Sequence, residues 1–137
     1  MNRGERGERR EKKRENELAG SVIGAAIEVH RELGPGLLET AYESCLAHEM
    51  VLRGITFERQ KPVPVSYKTT SLDCGFRVDL LVENLVVVEL KTVEKLHPVH
   101  SAQILTYLRL TRCKLGLLLN FNVNLMRDGI KRFALDL

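Results

Sequence analysis

Tryptophan is absent and aromatic residues make up 5% of the chain, so any core must rest on aliphatic packing with a few phenylalanines and tyrosines. Cysteine is scarce and scattered: Cys45, Cys74 and Cys113 lie 29 and 39 residues apart. That spacing offers no zinc or redox pair and reads as free, reduced thiols. No apolar run approaches the ~20 residues that span a bilayer, and the charged N-terminus lacks the apolar stretch of a secretory leader. A cytoplasmic location is the corresponding expectation. No strong charge of one sign is present either. Of the net +3, residues 1–17 hold seven Lys/Arg against five Glu, and the remainder holds fourteen against thirteen. Polyanion binding therefore has no support from bulk charge, although a local basic rim can still steer a phosphate backbone.

What remains is an ordinary globular composition, 44% hydrophobic and 28% charged over 137 residues, enough for one domain with one core. Residues 1–17 carry no apolar side chain after Met1 and read as a mobile, charged tail or a frayed helical extension. Residues 18–137 then form the domain. Leu18, Val22, Ile23, Ala26, Val29 and Leu33 recur at helical spacing up to the breaker Gly34-Pro35-Gly36, which predicts a first helix. A second is expected from about Leu37 to Leu52, with Leu38, Ala41, Tyr42, Cys45, Leu46 and Met50 inward and Gly54 at its end.

Strand signals follow at Ile55–Phe57 and Val63–Tyr67, with Pro62 and Pro64 marking an edge and Lys68–Ser71 a polar turn. Phe76–Val82 and Leu85–Lys91 read as a hairpin about Glu83-Asn84, its second strand apolar enough to be central. Pro98 opens a third helix to about Leu110, with Val99, Ala102, Ile104, Leu105 and Leu108 inward. Strands Leu115–Leu119 and Ile130–Leu135 close the chain. The order ααββββαββ predicts an α/β protein whose mixed central sheet is flanked by helices.

Chemistry concentrates at Asp79, nine intervening residues, then Glu89-Leu90-Lys91. On a strand Glu89 and Lys91 share a face. A two-residue hairpin loop would set Asp79 opposite Val88; a three-residue connection, Glu83-Asn84-Leu85, or a bulge would set it opposite Glu89. Adjacent carboxylates repel and favour a divalent cation such as Mg2+, with Mn2+ as a substitute, and a neighbouring lysine can hold water or screen phosphate charge. The competing interpretation is an exposed salt-bridge ladder; its weakness is that the triplet follows the apolar run Leu85–Val88. Glu39, on the margin of the second helix, is a further metal-facing carboxylate or a solvated one. Gln103 and Tyr107, four apart on the third helix, share a face, where Gln103 contacts water, phosphate or a base, or is a surface amide.

The remaining polar residues build no competing site. His30, His48, His97 and His100 form no metal motif and read as surface or capping groups; no serine or cysteine has triad partners; Gly34-Pro35-Gly36 lacks the Gly-Lys-Ser/Thr of a phosphate loop. Arg77 shares the side of Asp79, as a phosphate contact or an ion-pair partner, and Lys95, Arg109 and Arg112 line a nucleic-acid path or serve solubility.

Gly36-Leu37-Leu38-Glu39-Thr40-Ala41-Tyr42, followed by Asp79, Glu89-Leu90-Lys91, Ala102-Gln103, Tyr107-Leu108 and Gly116–Phe121, resembles the GxxExxY family across roughly residues 18–135. That family is similar to compact members of the PD-(D/E)xK nuclease superfamily, related to RecB-like nuclease domains. The resemblance implies a PD-(D/E)xK nuclease-like fold and a divalent-metal-dependent nuclease, DNA favoured over RNA. By resemblance Asp79, Glu89, the Leu90 carbonyl and Glu39 are metal ligands, Lys91 is the catalytic lysine, and Gln103 and Tyr107 match the helix after the catalytic strand. The usual proline before the catalytic aspartate is replaced by Arg77-Val78. The alternative is a noncatalytic nucleic-acid-binding or protein-assembly module retaining this fold. A homodimer is compatible with the shallow cleft expected at this length.

Overall fold

The computed structural model describes residues 3–135; the two residues at each end, which the expected tail and domain include, lie outside them. The chain is α/β. It forms helix α1 (Arg3–Leu33), helix α2 (Glu39–Leu52), strands β1 (Phe57–Pro62), β2 (Val65–Tyr67), β3 (Thr70–Leu72), β4 (Arg77–Val82) and β5 (Val86–Lys91), helix α3 (Pro98–Thr111), strand β6 (Leu115–Asn120), a short 3₁₀ turn (Met126–Gly129) and strand β7 (Ile130–Ala134). Five strands make one mixed sheet in the order β1-β4-β5-β6-β7, parallel between β5 and β6 and antiparallel elsewhere; β2 and β3 form a separate two-stranded hairpin.

Alternation along β5 sets the two faces. Val86, Val88 and Leu90 pack with Leu80, Leu117 and Leu119 beneath Val22, Ala26, Tyr42 and Leu46 of α1 and α2. Val87 packs with Leu81 and Leu118 beneath Ile104, Tyr107 and Leu108 of α3. A Cβ at Gly116 would stand 3.0 Å from Ile104 Cδ1 and 3.2 Å from Leu108 Cδ2, so the missing side chain lets α3 sit close on β6.

Three expectations are corrected, and of the two alternatives for the charged N-terminal stretch the helical extension is the one adopted: helix α1 begins at Arg3. Its charged turns need no apolar face, because Arg, Lys and Glu are good helix formers and pair along the helix, as Arg14 does with Glu17 at 3.3 Å. Arg14 also reaches Glu83, Asn16 bonds Arg132, and Glu15 is buried. Leu38 is the exposed residue before α2 rather than an inward one, and Cys45, Val99 and Ala102 also face solvent. His30 is buried, its Nε2 2.8 Å from the Val123 carbonyl oxygen. The residues expected as a turn, Lys68–Ser71, contribute Thr70 and Ser71 to β3, and only the tip turns, with Lys68 at φ +55°.

The signature tyrosine has a packing role. Tyr42 is fully buried and stacks on Phe121 with ring centroids 4.6 Å apart. Its hydroxyl donates to the Gly34 carbonyl and accepts from the Leu37 N–H at 3.2 Å, holding the turn that delivers Glu39 to the start of α2.

Candidate functional site

The hairpin joining β4 to β5 sets the register. Glu83 and Asn84 both adopt left-handed backbone, at φ +49° and +57°, and the Leu85 N–H closes the turn on the Val82 carbonyl at 2.9 Å. Pairing resumes at Val82–Val86 and runs through Leu80–Val88, so three residues form the connection and Asp79 and Glu89 are the next positions across the ladder. There the regular pattern gives way to side chains. The Leu90 N–H donates to Asp79 Oδ2 at 2.9 Å, and the Asp79 N–H donates to Glu89 Oε1 at 3.4 Å.

On the other side of β4 the pairing with β1 skips one step between Arg59–Leu80 and Lys61–Val78. The skipped residue, Gln60, has φ +49°, a conformation that is costly for a non-glycine residue. Its amide bridges two acids, donating to Glu43 Oε1 at 2.6 Å and to Asp79 Oδ1 at 3.1 Å. Both Asp79 oxygens therefore have donors.

Glu89 is 5% exposed and its carboxyl is pushed up to about 10. Burial is the largest cause, and the hydrogen bond and charge of Asp79 add to it, while Lys91 opposes it. The two carboxyls thus meet in a desolvated corner where Glu89 holds its proton. Lys91, two residues along, is half-buried and forms no ion pair with any described residue. Beyond it the buried Asn120 side chain clamps the chain leaving β5, accepting from the Val93 N–H at 3.1 Å and donating to the Val93 carbonyl at 2.9 Å.

Glu39 approaches from the first turn of α2. It is solvent-exposed, yet its carboxyl is raised, first by partial desolvation; Lys91 lowers it, and Asp79 and Glu43 raise it. From the opposite face, exposed Gln103 donates to the Tyr107 hydroxyl at 3.2 Å. Tyr107 is pushed up by burial and by the charges of Glu89 and Asp79. The structure thus brings Asp79, Glu89, Lys91, Glu39 and the Gln103–Tyr107 pair to one end of the sheet, with buried Leu90 supplying the backbone between Glu89 and Lys91.

Two neighbours of this cluster escaped sequence reasoning. Glu43, paired with Arg59 at 2.9 Å, follows Glu39 by four residues, and that helical spacing was a readable sign. Gln60 gave none, because its position depends on the broken β1–β4 step. Arg77, open between an ion pair and a phosphate contact on sequence, makes no ion pair with a described residue.

Among the described residues, no group of three His, Cys, Asp or Glu side chains is gathered so as to hold a metal ion. The donors that are present are hard oxygens: two adjacent carboxylates and the Leu90 backbone. Such a set suits Mg2+, which keeps several waters and takes one or two carboxylates rather than an all-protein cage.

No described helix is long and apolar enough to cross a membrane. Neither the curated proteins nor the solved structures contain a match to this chain. Residues 16–133 match the PD-(D/E)XK nuclease superfamily, a span covering both faces of the sheet and every residue of the cluster. The mixed sheet and the length of that match agree: the chain belongs to the PD-(D/E)XK nuclease superfamily.

Proposed function

We propose that this protein is a divalent-metal-dependent nuclease, using Mg2+ with Mn2+ as a substitute and acting on nucleic acid, DNA in preference to RNA. The observation that carries the reading is the Asp79–Glu89 pair: two carboxyls held together in a desolvated corner, where Glu89 is driven neutral in the absence of a counter-charge. A structural ion-pair network would place a cation there, yet Lys91 forms no ion pair with a described residue. When bound, a divalent ion supplies the counter-charge that favours ionised Glu89 beside Asp79, polarises the scissile phosphate and lowers the pKa of attacking water. Asp79, Glu89 and the Leu90 carbonyl are the residues that would hold it, with Glu39 reaching the same end through water. Lys91 orients that water and screens charge developing on the phosphate. Gln103, with its amide on the Tyr107 hydroxyl, orders substrate or water at the α3 side. Gln60 holds the Asp79 carboxylate.

A second reading is a noncatalytic nucleic-acid-binding or protein-assembly module that retains the fold. One observation favours it: no three-ligand group is gathered among the described residues, and both Asp79 oxygens are engaged within the sheet. The static arrangement satisfies this reading with no rearrangement. Catalysis requires Asp79 to exchange at least one hydrogen bond for a cation. We keep catalysis first because a Mg2+ site completed by water and substrate needs no third side chain.

Assignment within the superfamily to the GxxExxY group rests on Gly36–Tyr42 and is part of the same proposal, as is a cytoplasmic location. The test is cleavage of labelled single- and double-stranded DNA and RNA with Mg2+, Mn2+ or chelator. Asp79→Asn, Glu89→Gln and Lys91→Ala should each stay folded and lose turnover by about 10²-fold or more. Metal-independent cleavage, or wild-type turnover by folded Glu89→Gln, rejects the mechanism. Binding without cleavage under every condition selects the module.

A further inference from the structure

Between β1 and β4 the chain leaves the main sheet as a hairpin arm. Pro62 and Arg77 are the last paired residues of the two strands, and the Val63 N–H donates to the Phe76 carbonyl at 2.9 Å to close its base. Beyond that base β2 and β3 pair only with each other, in the register Val65–Leu72, Ser66–Ser71 and Tyr67–Thr70. All three β3 residues are exposed. Antiparallel pairing fixes where the arm emerges. β4 begins at Arg77 and reaches Asp79 two residues later, and β5 runs the other way to end at Glu89 and Lys91, so arm and acidic pair occupy the same end of the sheet.

The composition of the arm is unusual for solvent-facing hairpin. Tyr67 is 61% exposed and Phe76 42% exposed in a chain with seven aromatic residues besides histidine. Lys68 lies over the Tyr67 ring, its Nζ 5.6 Å from the centroid. Lys68 and Arg77 form no ion pair with a described residue, and the arm's other exposed side chains include Ser66, Thr70 and Ser71, together with Leu72 and one acid, Asp73. At the base, Phe76 meets the edge of Tyr107 with centroids 6.3 Å apart, and Tyr107 continues through its hydrogen bond to Gln103. One ring and cation, Tyr67 with Lys68, thus stand at the tip of the arm, and a second pair, Phe76 with Arg77, stands at its base beside the acidic end of the sheet.

We infer that this arm is a grip for single-stranded nucleic acid, with Tyr67 and Phe76 as stacking surfaces for unpaired bases and Lys68 and Arg77 as phosphate contacts. The inference rests on the reading of the protein as acting on nucleic acid and names the form of substrate. Exposed rings can stack only on bases that are out of a duplex, whereas the cations would serve either form; the pairing of the two selects a single strand. The main sheet does not need the rings outside: its two cores are closed by Tyr42, Phe121, Phe133 and Tyr107. A three-residue strand spans roughly 10 Å, a reach of two or three nucleotides beyond the site.

The test separates grip from chemistry by measuring binding in chelator, where no turnover occurs. Fluorescence anisotropy with short labelled single-stranded DNA and RNA and with duplex DNA should show the full-length protein favouring single strands. Tyr67→Ala with Lys68→Ala should weaken single-strand binding about tenfold or more and lower the steepness of its salt dependence, since one phosphate contact is lost. Tyr67→Phe should retain stacking and bind like the wild type. Lys114→Ala, removing a charge at the opposite end of the sheet, should bind like the wild type and shows that general charge is not responsible. Arm-dependent binding with no cleavage in Mg2+ leaves the grip standing and removes the catalytic reading. Cleavage and single-strand binding both unaffected by the double substitution overturn the grip while leaving catalysis intact. Tighter binding to duplex, or no binding to either form, also overturns it.

Discussion

Replacing Glu89 by glutamine is the perturbation for which the structure supplies a magnitude. In the folded protein the carboxyl is pushed from 4.5 to about 10 by burial and by Asp79. The sign follows from proton counting. Below about pH 4.5 the group is protonated folded or unfolded; above it the unfolded chain releases a proton that the folded chain keeps, so folded stability falls as pH rises toward the folded value. Each pH unit in that window costs up to about 1.4 kcal/mol, so about 4 kcal/mol separates pH 4.5 from pH 7.5, as an upper bound for one group. Glutamine has the shape of the protonated acid and can donate to Asp79, but has no proton to lose. In chelator, Glu89→Gln should match the wild type near pH 4.5 and exceed it in unfolding free energy by an increasing margin at higher pH. Denaturant unfolding of both proteins across that range measures the difference, in which most other titrating groups cancel. Parallel stability curves would show that Glu89 carries no extra proton in the fold, and would remove the observation on which the catalytic proposal stands.

Gln60→Gly should relieve the left-handed strain at φ +49° while deleting the bridge between Glu43 and Asp79. Stability should change by no more than about 1 kcal/mol, with turnover reduced and Gln60→Asn failing to restore it; unchanged turnover would show that the bridge does not position Asp79. Deleting residues 2–13, short of the Arg14–Glu83 contact and the buried Glu15, should leave cooperative unfolding in place, because the apolar contacts of α1 begin at Leu18. Loss of cooperative folding in that variant would refute the proposed boundary.

The parts of the fold legible in the sequence are those governed by local rules. Gly34-Pro35-Gly36 separates α1 from α2, Leu85–Val88 marks the central strand, and Pro62 marks the edge strand β1. Strand parity put Glu89 and Lys91 on one face, and of the two hairpin registers weighed, the three-residue connection is the one adopted. The losses have physical causes. Strand β3 was hidden because Thr70 and Ser71 are also turn formers, and their strand state is imposed by pairing with Ser66 and Tyr67. The first turns of α1 stay open on sequence between tail and helical extension, because hydrophobic periodicity says nothing about turns stabilised by propensity and ion pairs. Leu38 and Val99 follow the helical pattern of their neighbours yet are exposed, Leu38 as the extended residue before α2 and Val99 in the first turn of α3.

The acidic end of the sheet is where local rules and the structure part company most clearly. Val86, Val87 and Val88 continue naturally into another β-branched residue, and a sheet selected for stability alone would place one at Glu89. Instead, a carboxyl is buried at a cost in desolvation, Asp79 spends a side-chain oxygen on the Leu90 N–H, and the adjoining β1 step opens with Gln60 in a strained conformation. These departures lie on three strands but converge on one carboxylate, Asp79. Independent defects would be scattered through the sheet, whereas the β5–β6 ladder runs without interruption from Val86–Leu115 to Lys91–Asn120. Local inconsistency concentrated around a single titratable pair, within an otherwise consistent sheet, is the pattern expected of residues retained for chemistry rather than for the fold.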